Sequence, residues 1–285
     1  VNLYAHAEQV RGYCGDGSRW SLDINYSLEP KLLGTAGAIK RVAAFFKDGP
    51  FFVLSGDGLS DIDLTEMLAF HRKHKSLATM ALKAIDSHFD YGVTLTEPSG
   101  RIKGFLEKPS WADVFSNKVN TGIYLFEPEI FKYIPKNKVY DFGHDLWPKL
   151  LTLKKSIFAY ETKGYWCDVG NLSEYRRCQL DCLDGRARIT IPGKEIHKGV
   201  WVEEGARISP KAVLRAPCVI GKGAVIQAGA TVGSHTVVGD RARIAAGARI
   251  QNCILWDNVT VGPGVQLTNC IVGRNGEVRE NITVF

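Results

Sequence analysis

Residues 224–238 read Ala224-Val-Ile-Gln-Ala-Gly-Ala230-Thr-Val-Gly-Ser-His-Thr236-Val-Val238. Ile226, Val232 and Val238 lie six apart, and a small residue (Ala224, Ala230, Thr236) stands two before each. The period extends outward in both directions. Val202, Ile208, Leu214 and Ile220 precede it and Ile244 and Ile250 follow, with Ala206, Ala212, Cys218, Ala242 and Ala248 at the small position. The register then shifts by one, and Leu255, Val261, Leu267, Val272 and Val278 continue with steps of six, six, five and six. A six-residue apolar period on this scale marks a parallel β-helix, whose turns stack equivalent apolar positions into one core, with the small residues at tight corners. Three hexapeptides make a coil, so about four to five coils are expected. Cys253 and Cys270 fall at small inward positions and read as core thiols.

The seven cysteines are scattered, and Cys178 and Cys182 lack His or Cys partners at zinc spacing, so all are expected as reduced thiols of a cytoplasmic protein. No apolar run reaches the roughly 18 residues of a membrane span, and the start shows no signal-peptide pattern. The chain opens on Val1 inside apparent structure, so a fragment is expected. The net charge is +6, and residues 186–285 hold all of the excess, with 13 Lys or Arg against 7 Asp or Glu. On a repeat surface this reads as a solvated basic face. A nucleic-acid patch needs clustered aromatics as well, so nucleic acid is not an expected partner.

In the first half, Phe51-Phe-Val-Leu-Ser-Gly-Asp57 reads as a central parallel strand covered on both faces. An acidic residue at the carboxyl end of such a strand sits where open α/β sheets bind ligands, although Asp57 could equally cap the next helix. Upstream, Leu22 to Leu28 alternates like a strand. Glu29-Pro-Lys-Leu-Leu-Gly-Thr-Ala-Gly-Ala38 leads into a helix, its glycines either admitting a ligand or serving packing. A helix over 64–74 presents His71 and His74 on what reads as a polar face. Glu107-Lys108-Pro109 closes a strand that opens at Ile102, with Pro109 ending it. It can bring an acceptor and a cation together only if the backbone bends there, and otherwise it is an edge salt pair. Val119 to Phe126 is a strand starting with polar and small residues. Asp141 or Asp145 reads as an N-cap, and Gly164-Tyr-Trp-Cys-Asp168-Val-Gly170 brings a second acidic residue among aromatics and glycines.

Six motifs occur in one order: Leu-Gly-Thr-Ala-Gly-Ala (33–38), Gly-Asp (56–57), Tyr-Gly (91–92), Phe-Leu-Glu-Lys-Pro (105–109), Asn-Thr-Gly-Ile-Tyr (120–124) and Gly-Tyr-Trp-Cys-Asp-Val-Gly (164–170). Together they resemble the sugar-1-phosphate nucleotidyltransferases, most of all the bacterial mannose-1-phosphate guanylyltransferase type. The resemblance implies an incomplete Rossmann-like α/β nucleotidyltransferase domain over 1–185, then a left-handed parallel β-helix of hexapeptide repeats over 186–285. It implies transfer of a nucleotidyl group from an NTP to a hexose-1-phosphate, releasing pyrophosphate. Asp57 and Asp168 would hold Mg²⁺, and Lys108 would contact the sugar phosphate. Glu107 and Asn120 would meet sugar hydroxyls, the Gly92 and Gly122 backbones would line the sugar site, and Leu33, Gly34 and Thr35 would border the base. GTP with mannose-1-phosphate is favoured over UTP, dTTP or ATP with glucose-1-phosphate, and a homo-oligomer through the β-helix is expected.

Two rival functions fit parts of the sequence. A hexapeptide acyltransferase with His197 or His235 as base leaves the first half unused. A non-catalytic subunit of the same family has no need to retain Asp57, Lys108 and Asp168. The family's glycine-rich phosphate loop, G-G-x-G-T-R-L, and its later P-K-P segment do not occur in this sequence. The resemblance thus aligns Val1 near the third strand of the domain. These 285 residues alone are therefore predicted to lack nucleotidyl transfer when pyrophosphate release is followed. Turnover comparable to that of an intact homologue would contradict this.

Overall fold

The computed structural model describes residues 1–85, 91–108, 110 and 116–285, so Pro109 of the Glu-Lys-Pro motif lies outside the described residues. Packing divides the chain into Val1–Gly58 with Ile62–Trp166, and Leu59–Asp61 with Cys167–Phe285. No helix among the described residues is long and apolar enough to cross a membrane.

The first unit opens with β1 (Asn2–Leu3), α1 (Ala7–Cys14), β2 (Ser27–Leu28) and α2 (Gly34–Arg41). Then come β3 (Phe51–Leu54), β4 (Gly58–Ser60), α3 (Leu64–Lys73), β5 (Ala78–Ala84), β6 (Val93–Thr96) and β7 (Ile102–Leu106). β8 (Lys118–Phe126), α4 (Trp147–Thr152) and β9 (Ile157–Glu161) follow, while most of β4 and of β10 (Trp166–Asp168) falls in the second unit. The main sheet has the order β7-β6-β8-β5-β9, and β3 also pairs with β8. Alternation along β5 and β8 builds two cores. Met80, Leu82, Tyr124 and Phe126 face Trp147 and Leu150 of α4, whereas Ala81, Ile123 and Leu125 face Met67 of α3.

Three expectations are corrected here. β3 runs antiparallel to β8 rather than as a central parallel strand. Among the described residues no strand pairs with its other edge, which borders a groove of about 410 Å³ lined by Ile24, Ile39, Phe45, Phe52 and Leu54 among others. Its apolar run is thus continuous although Leu54 is 52% exposed. The strand expected over 22–28 shrinks to Ser27–Leu28, because Ile24 N–H turns back to the Asp16 carbonyl (2.9 Å). His71, expected on a polar helix face, is buried at 1% exposure. Its Nδ1 lies 2.7 Å from Thr79 Oγ1 and its Nε2 lies 3.3 Å from the Glu127 carboxylate.

In the second unit, α5 (Leu172–Leu183) is capped by Asn171, whose Oδ1 accepts from Glu174 N–H (2.9 Å). Three parallel sheets then wind as a β-solenoid of five coils. The first contains Val200–Val202, Cys218–Ile220, Thr236–Val238, Ile254–Leu255 and Ile271–Val272, with the strand Lys194–His197 pairing antiparallel at its start. The second contains Arg207–Ile208, Val225–Ile226, Arg243–Ile244, Thr260–Val261 and Glu277–Val278. The third contains Val213–Leu214, Thr231–Val232, Arg249–Gln251, Gln266–Thr268 and Thr283–Val284. The residues at six-residue intervals form its core, Ile220 through Leu267 being almost fully buried.

The solenoid corners explain the register shift. Residues 223, 229, 235, 241 and 247 all have positive φ, and the series resumes at 252, 258, 264, 269, 275 and 281. Each five-residue step therefore removes a corner residue and leaves the strands intact. Partners such as Val219↔Val237 are 18 apart, and Val237↔Ile254 are 17 apart. Glycine and asparagine, which tolerate the left-handed region best, fill most of these corners. Both shortened corners join the third sheet to the first, on the side where α5 lies. Arg176 donates to Asn269 Oδ1 (2.9 Å), which also accepts from Asn252 Nδ2 (2.7 Å), and His235 Nε2 meets Asp184 at 2.8 Å. Trp256 Nε1 donates to Tyr175 Oη (3.1 Å). The outward column of the first sheet under this helix is apolar (Val219, Val237, Ile254).

Burial holds the His71 imidazole below its usual value, outweighing the pull of Glu127 in the other direction; Arg72 acts with burial. Below about pH 6.5 the unfolded chain takes up a proton that folded His71 resists, so this contribution to stability is lost as pH falls through that range. The urea midpoint is predicted to drop between about pH 7.5 and 5.5, and to drop less in His71→Gln. Equal drops in both proteins would contradict it.

Candidate active site

β8 carries a bulge where the site residues cluster. Tyr124 pairs with Met80 and Asn120 with Leu82, so residues 121–123 face Ala81 alone. Thr121 Oγ1 donates to the Ala81 carbonyl (2.9 Å), satisfying the interrupted ladder. Gly122 takes φ +72° there, and a Cβ on it would stand 3.0 Å from Ser55 Oγ. Its N–H donates to Asn120 Oδ1 (3.0 Å), and its carbonyl accepts from Ser55 N–H (3.0 Å). Asn120 Nδ2 donates to Tyr124 Oη (2.8 Å), and Asn120 N–H donates to the Gly92 carbonyl (2.8 Å). Burial pushes the Tyr124 phenol well up, which keeps it a neutral hydrogen-bonding group.

Glu107 follows β7 and points into this cluster. A Cβ on Gly92 would lie 2.7 Å from its Oε2, and a Cβ on Gly143 would overlap the same carboxylate. The carboxylate is thus wedged between two residues that lack side chains. Its Oε2 is buried and has no hydrogen-bond partner among the described residues. Burial pushes the carboxyl above the usual glutamate range; His144 and Lys108 pull it down, and Asp141 pushes it further up. A desolvated carboxylate oxygen without a donor is costly in isolation and becomes a strong acceptor once a donor arrives.

The turn that supplies Gly143 runs over Phe142–Leu146 and leads into α4. Asp141 caps it, accepting from Gly143 N–H (2.9 Å) and His144 N–H (3.5 Å), while Asp145 accepts from Asp141 N–H (2.7 Å). The N-cap reading holds for Asp141, whereas Asp145 lies inside the turn and accepts from the N–H of the cap residue. Asp141 Oδ2 also accepts from Thr35 Oγ1 (2.7 Å), and Thr35 Oγ1 accepts from Phe142 N–H (2.9 Å). The Tyr140 carbonyl accepts from Ala36 and Gly37 N–H, and a Cβ on Gly34 would stand 2.6 Å from it. Leu33, Gly34 and Thr35 therefore dock the start of α2 on residues 138–142.

The structure links Glu107 to Asn120 through Gly92, and Asn120 to Gly122 by a hydrogen bond, and it reaches Leu33–Thr35 through Gly143 and Asp141. Lys108 is exposed with φ +43°, so the backbone does bend immediately after Glu107. Asp57 is exposed, two residues past Ser55, with no hydrogen bond to its carboxylate among the described residues. Asp168 is the half-buried last residue of β10 and belongs to the second unit. Among the described residues no group of three or more His, Cys, Asp or Glu could hold a metal ion. Gly143, His144 and Tyr124 were not expected as neighbours of Glu107. The only signal for Gly143 was a glycine between Phe142 and His144 at a helix start.

A family model described as Nucleotidyl transferase matches residues 1–185, and one described as EIF2B subunit epsilon LbH domain matches 197–285. The UTP--glucose-1-phosphate uridylyltransferase of Synechocystis sp. is 37% identical over 215 residues, 70% of this chain and 55% of that protein. The mannose-1-phosphate guanylyltransferase of Mycobacterium tuberculosis is 31% identical over 249 residues, 87% of this chain and 63% of that protein. The chain thus spans less than two thirds of the length of these curated relatives. A putative glucose-1-phosphate thymidylyltransferase from Bacillus anthracis shares the fold with a TM-score of 0.56 at 21% identity, over 68% of this chain and 78% of that one. HddC from Yersinia pseudotuberculosis does so with 0.54 at 22% identity, over 62% and 74%. The motifs, the α/β unit with its bulged strand and a family match over 65% of the residues agree, and this chain belongs to the nucleotidyl transferase family.

Proposed function

We propose that this chain carries the sugar-phosphate side of a sugar-1-phosphate nucleotidyltransferase. The observation that supports this most is the Glu107 carboxylate, buried between Gly92 and Gly143 with one oxygen lacking a donor. A sugar hydroxyl is the donor such an oxygen lacks, and Asn120 beside it contributes an amide to the same subsite. Gly92 and Gly122 line it with backbone. Lys108, turned outward by the bend, provides a cation for the phosphate one residue from the hydroxyl acceptor. Leu33, Gly34 and Thr35 border the base.

For the metal the proposal rests on donor chemistry. Asp57 and Asp168 supply hard carboxylate oxygens, which suit Mg²⁺ that retains waters and phosphate oxygens as its other ligands. When bound, Mg²⁺ neutralises phosphate charge between two anionic substrates. The preferred pair is GTP and mannose-1-phosphate, in keeping with the motif resemblance and with the relative from M. tuberculosis. UTP with glucose-1-phosphate is the second reading, favoured by the 37% identity to the cyanobacterial relative. A homo-oligomer through the solenoid and a cytoplasmic location complete the proposal.

Calorimetry of this chain with mannose-1-phosphate and glucose-1-phosphate tests the sugar subsite, with mannose-1-phosphate expected to bind more tightly. Glu107→Gln removes a charged acceptor and should weaken binding by about 10- to 100-fold. Gly143→Ala should do likewise by displacing the carboxylate, whereas Gly104→Ala, with only an ordinary 3.5 Å contact to Leu95, should not. Unchanged affinity in Glu107→Gln would overturn the assignment. In this chain fused behind the glycine-rich phosphate loop of an active relative, Asp57→Asn and Asp168→Asn should each abolish Mg²⁺-dependent pyrophosphate release. Turnover near that of the unsubstituted protein would remove them as ligands.

A further inference from the structure

Through their first four coils the second and third solenoid sheets carry charge of one sign; Glu277 and Glu280 enter only in the fifth coil. Through the first four coils their outward positions and corners hold Arg207, Lys211, Arg215, Arg243 and Arg249, all exposed, and no carboxylate. The carboxylates of these coils, Glu203, Glu204, Asp240 and Asp257, all stand at the corner between the first and second sheets. None of the five cations forms an ion pair among the described residues, the nearest ladder charges, Arg241 and Arg274, being engaged by Asn258 and Asp257. α5 lies along the first sheet, so within this unit nothing covers the other two.

This surface is rigid. Arg207 and Arg243 stand two coils apart in one column, Arg207 over Val225 and Val225 over Arg243, which fixes them roughly 10 Å apart. Arg249 lies in the same coil as Arg243, on the adjoining sheet. Between the two sheets the corners are low: Ser209-Pro210, Ala228-Gly229, Ala245-Ala246 and Pro263-Gly264 allow another surface to approach closely. Val213, 46% exposed, gives the patch an apolar element among the cations. Four of the five cations are arginines, whose planar fork pairs with carboxylates in a bidentate way.

We propose that the second and third solenoid sheets form a docking surface for a carboxylate-rich protein partner. A second copy of this chain presenting the same surface is disfavoured by repulsion between like charges. Nucleic acid fits less well. The outward columns contain no aromatic side chain on which bases could stack, and no helix or loop projects from the low corners to enter a groove. This interaction is independent of nucleotidyl transfer and goes beyond it.

Fluorescence anisotropy with labelled poly-L-glutamate and labelled duplex DNA, at about 20 and 200 mM salt, tests the proposal on the full chain. Poly-L-glutamate should bind at low salt and more tightly than DNA of equal charge. Arg243→Gln with Arg249→Gln should weaken that binding about tenfold or more, whereas Lys194→Gln with Lys198→Gln, which removes equal charge elsewhere in the unit, should change it less than about twofold. These are outward side chains, and an unchanged circular dichroism melt is expected for both variants. Equal weakening in the two variants, no binding of poly-L-glutamate at low salt, or tighter binding of DNA would each overturn it.

Discussion

The Glu107 carboxylate has nowhere to go. Gly92 and Gly143 flank it so closely that neither position has room for a methyl group. One of its oxygens is cut off from water without gaining a hydrogen bond among the described residues. Burying a carboxylate in this way costs free energy, and the raised protonation equilibrium is the electrostatic expression of that cost. The surroundings hold the strained arrangement from several sides. The bulge in β8 fixes Asn120 against Gly92 and Tyr124, and the Asp141 cap fixes Gly143 while tying α2 to the same turn through Thr35. A group kept costly in the absence of ligand is one that a ligand's donor can relieve.

The solenoid depends on a different constraint, the left-handed corner that recurs at every turn. Where glycine is absent, asparagine occupies it except at His235 and Arg241, and these side chains stack: Arg241 donates to Asn258, and Asn258 to Asn275. Shortening two corners on one side brings the asparagines of that side to α5, where Arg176 reads them. The helix and the repeat are therefore matched residue by residue within one unit. The charges on the two uncovered sheets are segregated by the same regularity, because outward positions repeat in columns just as inward ones do.

Much of this was legible in sequence for reasons that are local. The apolar six-residue period needs no tertiary information, and the one-residue shifts after Ile250 and Leu267 marked shortened coils. The ordered motifs identified the family, and Glu107, Asn120, Gly92 and Gly122 do meet. What escaped was set by partners distant in sequence. Phe51–Leu54 is apolar enough for a central strand, but its pairing with β8 and its open edge depend on what lies beside it. His71 is surrounded in sequence by Arg72, Lys73 and Lys75, yet Thr79 and Glu127 bring it inside. Gly143 gives no sign of its role until Glu107 is placed against it.

Glu107 is held in want of a donor, which the proposed hexose-1-phosphate would provide. The most direct test is a carboxyl-carbon NMR titration of Glu107, assigned through Glu107→Gln, without and with mannose-1-phosphate or glucose-1-phosphate. The free protein should titrate at higher pH than an ordinary glutamate, and the ligand that binds should move the transition to lower pH, because a hydroxyl donor favours the charged form. An ordinary titration in the free protein, or one that neither sugar phosphate shifts downward, would contradict the account.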